Sequence, residues 1–62
     1  MTLKEQILDI RDSGEANMLD ANAVQVAANE RGYYELVCFI EDNRRDYGKY
    51  ILTGDESLLG GD

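Results

Sequence analysis

Apolar positions recur along this chain at intervals of three and four, the spacing of helices that turn one face to a core. Leu3, Ile7 and Ile10, with Leu8 widening the stripe, predict a first helix over residues 3–13. Thr2 is its N-cap, Glu5 completes a capping box, and Gly14 offers the C-terminal stop. A second helix is predicted over 21–31, with Val24, Ala27, Ala28 and Arg31 on one side. Asp20 caps it, Leu19 is placed to staple onto Val24, and Gly32 closes it. Its alanines favour helix but contribute little buried area, so it must lean on larger neighbours.

Those neighbours follow between Gly32 and Gly54, a stretch that holds all four tyrosines, the one phenylalanine and the one cysteine. Read as a helix over 33–53, it aligns Tyr33, Val37, Ile40, Arg44, Tyr47 and Ile51 on one seam, with Leu36, Tyr50 and Leu52 beside it. The polar run from Glu41 to Asp46 interrupts the pattern. Within it Arg44 falls on the seam, Glu41 is spaced to pair with Arg45, and Gly48 weakens the helix beyond it. The pattern favours one continuous helix; the alternatives are a break near residues 43–46 and a short strand over 49–53. Residues 55–62 lack periodicity and read as a flexible acidic tail, in which Leu58 and Leu59 offer one more apolar contact. The expectation is a small all-α domain of three helices spanning residues 1–54.

Length sharpens this picture. Sixty-two residues allow one domain, and a chain of that size buries only roughly 60% of the surface its unfolded form exposes. Cys38 is alone, so no intrachain disulfide is available, and the absence of histidine removes the usual zinc patterns. No metal and no cofactor is expected, which leaves helix packing or self-association to supply stability. The balance of 13 acidic against 6 basic residues gives a formal net charge of -7. That charge disfavours nucleic acid and anionic membranes and attracts basic protein surfaces. No apolar run approaches the roughly 18 residues of a membrane span, and the first residues lack the apolar core of a signal peptide. A single free cysteine fits a reducing cytoplasm.

The pattern assembles no active centre, and the chain reads as non-enzymatic. Cys38 is the one strong nucleophile and has no histidine base, so it is expected to be a buried or half-buried structural thiol. The pairs Glu41/Asp42 and Asp55/Glu56 are sequence neighbours, which do not face each other on a helix. The segment from Asp9 to Asp20 mixes the residue types of a calcium loop. It fails on spacing, because Arg11 and Asp20 stand where an Asp or Asn and a Glu are required. Gly60-Gly61 follows no strand and opens no helix, so it makes no phosphate loop. A DNA-reading helix would have to use Arg44, Arg45 and Lys49, which sit among Glu41, Asp42 and Asp46.

Surfaces remain. Glu5, Asp9 and Asp12 form an acidic stripe on the outer side of the first helix, either a solvated face or a partner-binding one. Asp9, Asp12, Glu41 and Asp42 are the candidate partner-binding residues. The tyrosines supply more rigid amphipathic area than so short a chain can bury. Boundary core positions, self-association and contact with a different protein compete for the surplus. The reading assigns Tyr34, Phe39, Tyr47 and Tyr50 to a homodimer interface, with the two long helices paired across a two-fold axis.

In combination, Ile10-Arg11-Asp12, Asn17-Met18, Val24-Gln25, Gly32-Tyr33-Tyr34-Glu35-Leu36 and Tyr50-Ile51-Leu52-Thr53-Gly54 carry a resemblance over residues 5–54. On them the chain resembles a family of short, uncharacterised proteins encoded by phages and prophages of Gram-positive bacteria. The resemblance transfers no catalytic residues. It implies a phage-encoded accessory protein working in a bacterial cytoplasm, of the class that inhibits host defence by binding a host protein. The expected function is inhibition of such a host protein through acidic and aromatic helix surfaces. The alternative is a small regulatory or packaging accessory that binds DNA or a phage protein.

Overall fold

The computed structural model describes residues 1–60 and contains, among them, four α-helices, one 3-10 turn and no strand. Helix α1 spans Leu3–Ser13, α2 Ala21–Glu30, α3 Tyr34–Asp42 and α4 Arg44–Thr53, and the 3-10 turn covers Glu56–Leu59. Helix α1 begins where its capping chemistry says it should. The Glu5 backbone N–H donates to Thr2 Oγ1 at 3.2 Å, and the Thr2 N–H donates to Glu5 Oε1 at 2.9 Å. Donation from the Thr2 backbone N–H, and then from its side chain, holds the Glu5 carboxyl below its ordinary pKa. Gly14 ends α1 with φ 71, a left-handed conformation that glycine adopts without steric cost. Asp20 caps α2 by accepting from the Ala23 N–H at 3.1 Å. The expected staple is not made, because Leu19 is 62% exposed while its neighbour Met18 packs on the core.

The expected third helix over 33–53 is two helices. Asn43 leaves helical geometry at φ -137 and ψ 49, ending α3 and starting α4. Its N–H donates to the Phe39 carbonyl at 2.8 Å, and its own carbonyl accepts from the Tyr47 N–H at 2.9 Å. The physical reason is packing, since the break sets Tyr47 and Tyr50 in the common core. A straight helix of about 20 residues runs roughly 30 Å, longer than the 25 Å principal extent of the whole fold. Breaking at Asn43, a poor helix former inside a polar run, returns α4 to the core. Arg44 leaves the seam on which the continuous pattern put it: it is exposed and donates from Nη2 to Asn22 Oδ1 on α2 at 2.6 Å. Leu52 also leaves the apolar side and is 74% exposed. Glu41 accepts from Gln25 Nε2 at 2.9 Å, where the helical pattern had paired it with Arg45.

Every helix contributes to one core. Ile7 and Ile10 come from α1, Val24, Ala27 and Ala28 from α2, Leu36 and Ile40 from α3, and Tyr47 and Tyr50 from α4. Tyr47 is the largest of the fully buried side chains, and its hydroxyl donates to the Met18 carbonyl at 2.9 Å. That bond gives the phenol a partner and ties the α1–α2 loop to α4. Leu58 and Leu59 of the 3-10 turn pack at the core edge, and Lys4 reaches Glu56 at 2.9 Å across the surface. Asp55 anchors the turn by accepting from the Ser57 N–H and hydroxyl. The last two positions of the tail, Gly61 and Asp62, lie outside the described residues. No helix among the described residues is long and apolar enough to cross a membrane.

Two outcomes follow from α4. A Cβ added to Gly48 meets nothing within 4 Å, and the residue lies inside the helix. Gly48→Ala is expected to stabilise the fold by about 0.5–1 kcal/mol, read as a rise of roughly 2–8 °C in Tm by thermal circular dichroism. Burial pushes the Tyr47 phenol from 10.0 up to about 12. The folded chain therefore keeps that proton after the unfolded chain has released it. The associated stability is fully present below pH 10 and is lost as pH rises toward 12, a fall of about 2–3 kcal/mol. Urea titrations across that range should show a smaller fall for Tyr47→Phe than for the wild type, after a loss of about 1 kcal/mol at neutral pH from the missing hydrogen bond.

Candidate functional site

The partner-binding candidates divide between two helices. Asp9 and Asp12 lie on α1, and Glu41 and Asp42 on α3. Asp9 is engaged within the fold. Its Oδ2 accepts from Arg31 Nη1 at 3.0 Å and from the Tyr33 hydroxyl at 2.6 Å. Arg31 reaches Glu15 Oε1 through Nη2 at 2.9 Å, so one guanidinium joins α1, the α1–α2 loop and the corner after α2. The bond to Glu15, then the charges of Glu15 and Asp9, raise the Arg31 pKa against the opposing effect of burial. Donation to Asp9, followed by burial, raises the Tyr33 phenol. Asp12 is exposed and meets only its sequence neighbour Arg11, at 3.7 Å. A pair so solvated contributes little.

This corner was only half legible. Arg31 stands on the same side of α2 as Val24, Ala27 and Ala28. A cation in that row needs a carboxylate, and that requirement is the signal that leads to Asp9. Tyr33 joins it through the turn at Gly32, whose φ of 78 is left-handed, and Glu15 joins it from the loop after α1.

The four aromatics assigned to an interface do not form one surface. Tyr47 is 1% and Tyr50 7% exposed, both inside the single chain, and Phe39 is half-buried against the core. Tyr34 is 64% exposed. The α3 face opposite Leu36 and Ile40 carries Tyr34, Cys38 and Glu41 at i, i+4 and i+7, with Asp42 and Glu35 beside them, all exposed. Cys38 is thus a surface thiol, in place of the buried or half-buried one expected. Its position follows from the helix wheel, which sets it opposite the two buried residues of α3. The outward face of α3 is where an exposed aromatic and the two α3 candidates, Glu41 and Asp42, come together.

Concavities are shallow. A groove of about 470 Å³ runs between the start of α1 and the 3-10 turn, floored by Leu3 and Leu59 and edged by Lys4, Glu35 and Glu56. Hydrogen bonding and attraction to Glu56 raise the Lys4 pKa. A second cleft of about 130 Å³ lies among Ile7, Met18, Tyr50 and Ile51. Among the described residues, no three of His, Cys, Asp and Glu form a group able to hold a metal ion.

The chain belongs to the DUF5049 family, described as a domain of unknown function, whose family model matches residues 1–55. No curated protein and no solved structure matches it.

The corner makes Asp9 and Asp12 separable in experiment. Asp9→Asn should lower Tm more than Asp12→Asn does. It should also bring the Tyr33 phenol back toward 10.0, since its carboxylate acceptor is gone, as read by ultraviolet or NMR titration of the tyrosines. Equal Tm losses and an unmoved Tyr33 titration would mean that the corner holds nothing together.

Proposed function

We propose that this chain is a non-enzymatic, phage-encoded accessory protein that binds and inhibits a host protein of antiviral defence, and that it forms a homodimer in the bacterial cytoplasm. The observation that carries the binding part is Tyr34, 64% exposed on a helix and flanked by the exposed carboxylates Glu35, Glu41 and Asp42. A rigid aromatic that the fold does not use for packing, set among charges of one sign, suits a partner that is apolar at its centre and basic around it. The net charge of -7 adds long-range attraction for such a surface. Asp12 can extend the acidic area on α1, whereas Asp9 is committed to Arg31 and Tyr33. The phage and host parts of the reading rest on the sequence resemblance.

The alternative, a regulatory or packaging accessory that binds DNA or a phage protein, draws on Arg45 and Lys49, which are exposed on α4. Affinity capture from host and infected-cell lysates separates the two readings. The inhibitor reading expects a stoichiometric complex with one host protein. It expects Tyr34→Ala or the double change Glu41→Lys/Asp42→Lys to weaken that complex at least about tenfold. A complex indifferent to those changes would remove the acidic-aromatic surface from the account. Salt-sensitive DNA binding that requires Arg44 and Arg45 would favour the alternative.

A further inference from the structure

We infer that the second copy of this chain lays its α4 on the outward face of α3, and receives the reciprocal contact, in a two-fold dimer. Complementary stripes on two helices carry the inference. On α3, Tyr34, Cys38 and Glu41 follow one another at i, i+4 and i+7, with Asp42 beside them. On α4, Arg45, Lys49 and Leu52 repeat the same spacing and are all exposed. The apolar member of each stripe is unusually open, Tyr34 at 64% and Leu52 at 74%.

Two cations of α4, Arg45 and Lys49, are conspicuous for having no partner. Lys4, Arg11 and Arg31 each meet a carboxylate, and Arg44 donates to Asn22. Arg45 and Lys49 have no ion pair or side-chain hydrogen bond among the described residues, in a chain with 13 acidic groups to 6 basic ones. Their stripe matches that of α3 in register. Antiparallel packing of the two helices brings Tyr34 against Leu52, Cys38 against Lys49 and Glu41 against Arg45. Aromatic then meets leucine at one end of the contact and carboxylate meets guanidinium at the other. A two-fold axis makes this contact twice, as an isologous interface requires.

The assignment rests on the proposal that the protein is a homodimer, and it replaces the pairing through Tyr47 and Tyr50, which are core residues. It also makes α4 of the second copy a competitor for any basic partner seeking the α3 face.

Charge exchange tests the interface with the whole chain. Sedimentation equilibrium on the wild type should give twice the 7.0 kDa monomer mass. Arg45→Glu/Lys49→Glu and Glu41→Lys/Asp42→Lys, each shown folded by circular dichroism, should each weaken self-association at least about 100-fold, because both contacts become like-charged. Mixing the two variants should restore a one-to-one heterodimer, in which both contacts are again complementary. A wild type that stays monomeric at millimolar concentration overturns both the dimer and this interface. A dimer that survives either reversal, or variants that fail to complement, overturns the interface and leaves self-association standing.

Discussion

The shape of this protein depends on the limited size of its core. A chain of 62 residues has few large side chains with which to fill its interior, and the largest buried one, Tyr47, lies beyond the polar run that separates α3 from α4. Only by breaking at Asn43 can the chain set Tyr47 and Tyr50 against Ile7, Ile10, Val24, Leu36 and Ile40. Other features follow from that fold-back. The α1–α2 loop gains an anchor in the Tyr47 hydroxyl, Arg44 is freed to reach α2, and the outward sides of α3 and α4 are left exposed on two short helices.

Charge is sorted by the same event. The guanidinium of Arg31, the most sheltered of the ion-paired cations, bridges Asp9 and Glu15 at the corner after α2. Its charge is spent inside the molecule, on holding α1 to the remainder. By contrast the carboxylates of α3 and the cations of α4 face water on different helices. The protein is acidic as a whole, but its surface is sorted locally. Recognition by a partner is governed by such local patches more than by the sum of charges.

The sequence made the helix ends legible because capping is a local affair. Thr2 with Glu5, Asp20, Gly14 and Gly32 each act within four residues of themselves, and each stands where the pattern put it. The break at Asn43 was not legible in the same way. The apolar seam happens to continue in phase from Ile40 through Arg44 to Tyr47, so periodicity alone cannot tell one helix from two. What decides between them is the packing of Tyr47 and Tyr50 on the core, a tertiary matter with no local signature. The aromatics show the same limit. Counting them against chain length suggests a surplus, yet four of the five, Tyr33, Phe39, Tyr47 and Tyr50, are buried or half-buried in one chain. The corner at Asp9 joins residues 22 and 24 apart, a separation over which spacing rules carry no information.

The joint at Asn43 consists of a single residue with no side-chain cap, so α3 and α4 meet with no slack between them. Two backbone torsions therefore act as the gear that sets one face of the molecule against the other. Without that residue no non-helical position would separate the two helices, and a chain running straight on from α3 would carry Tyr47 away from the core as well as displacing Arg45 and Lys49. Core and surface thus hang on one turn, and losing it would alter the outer faces and unseat the interior together.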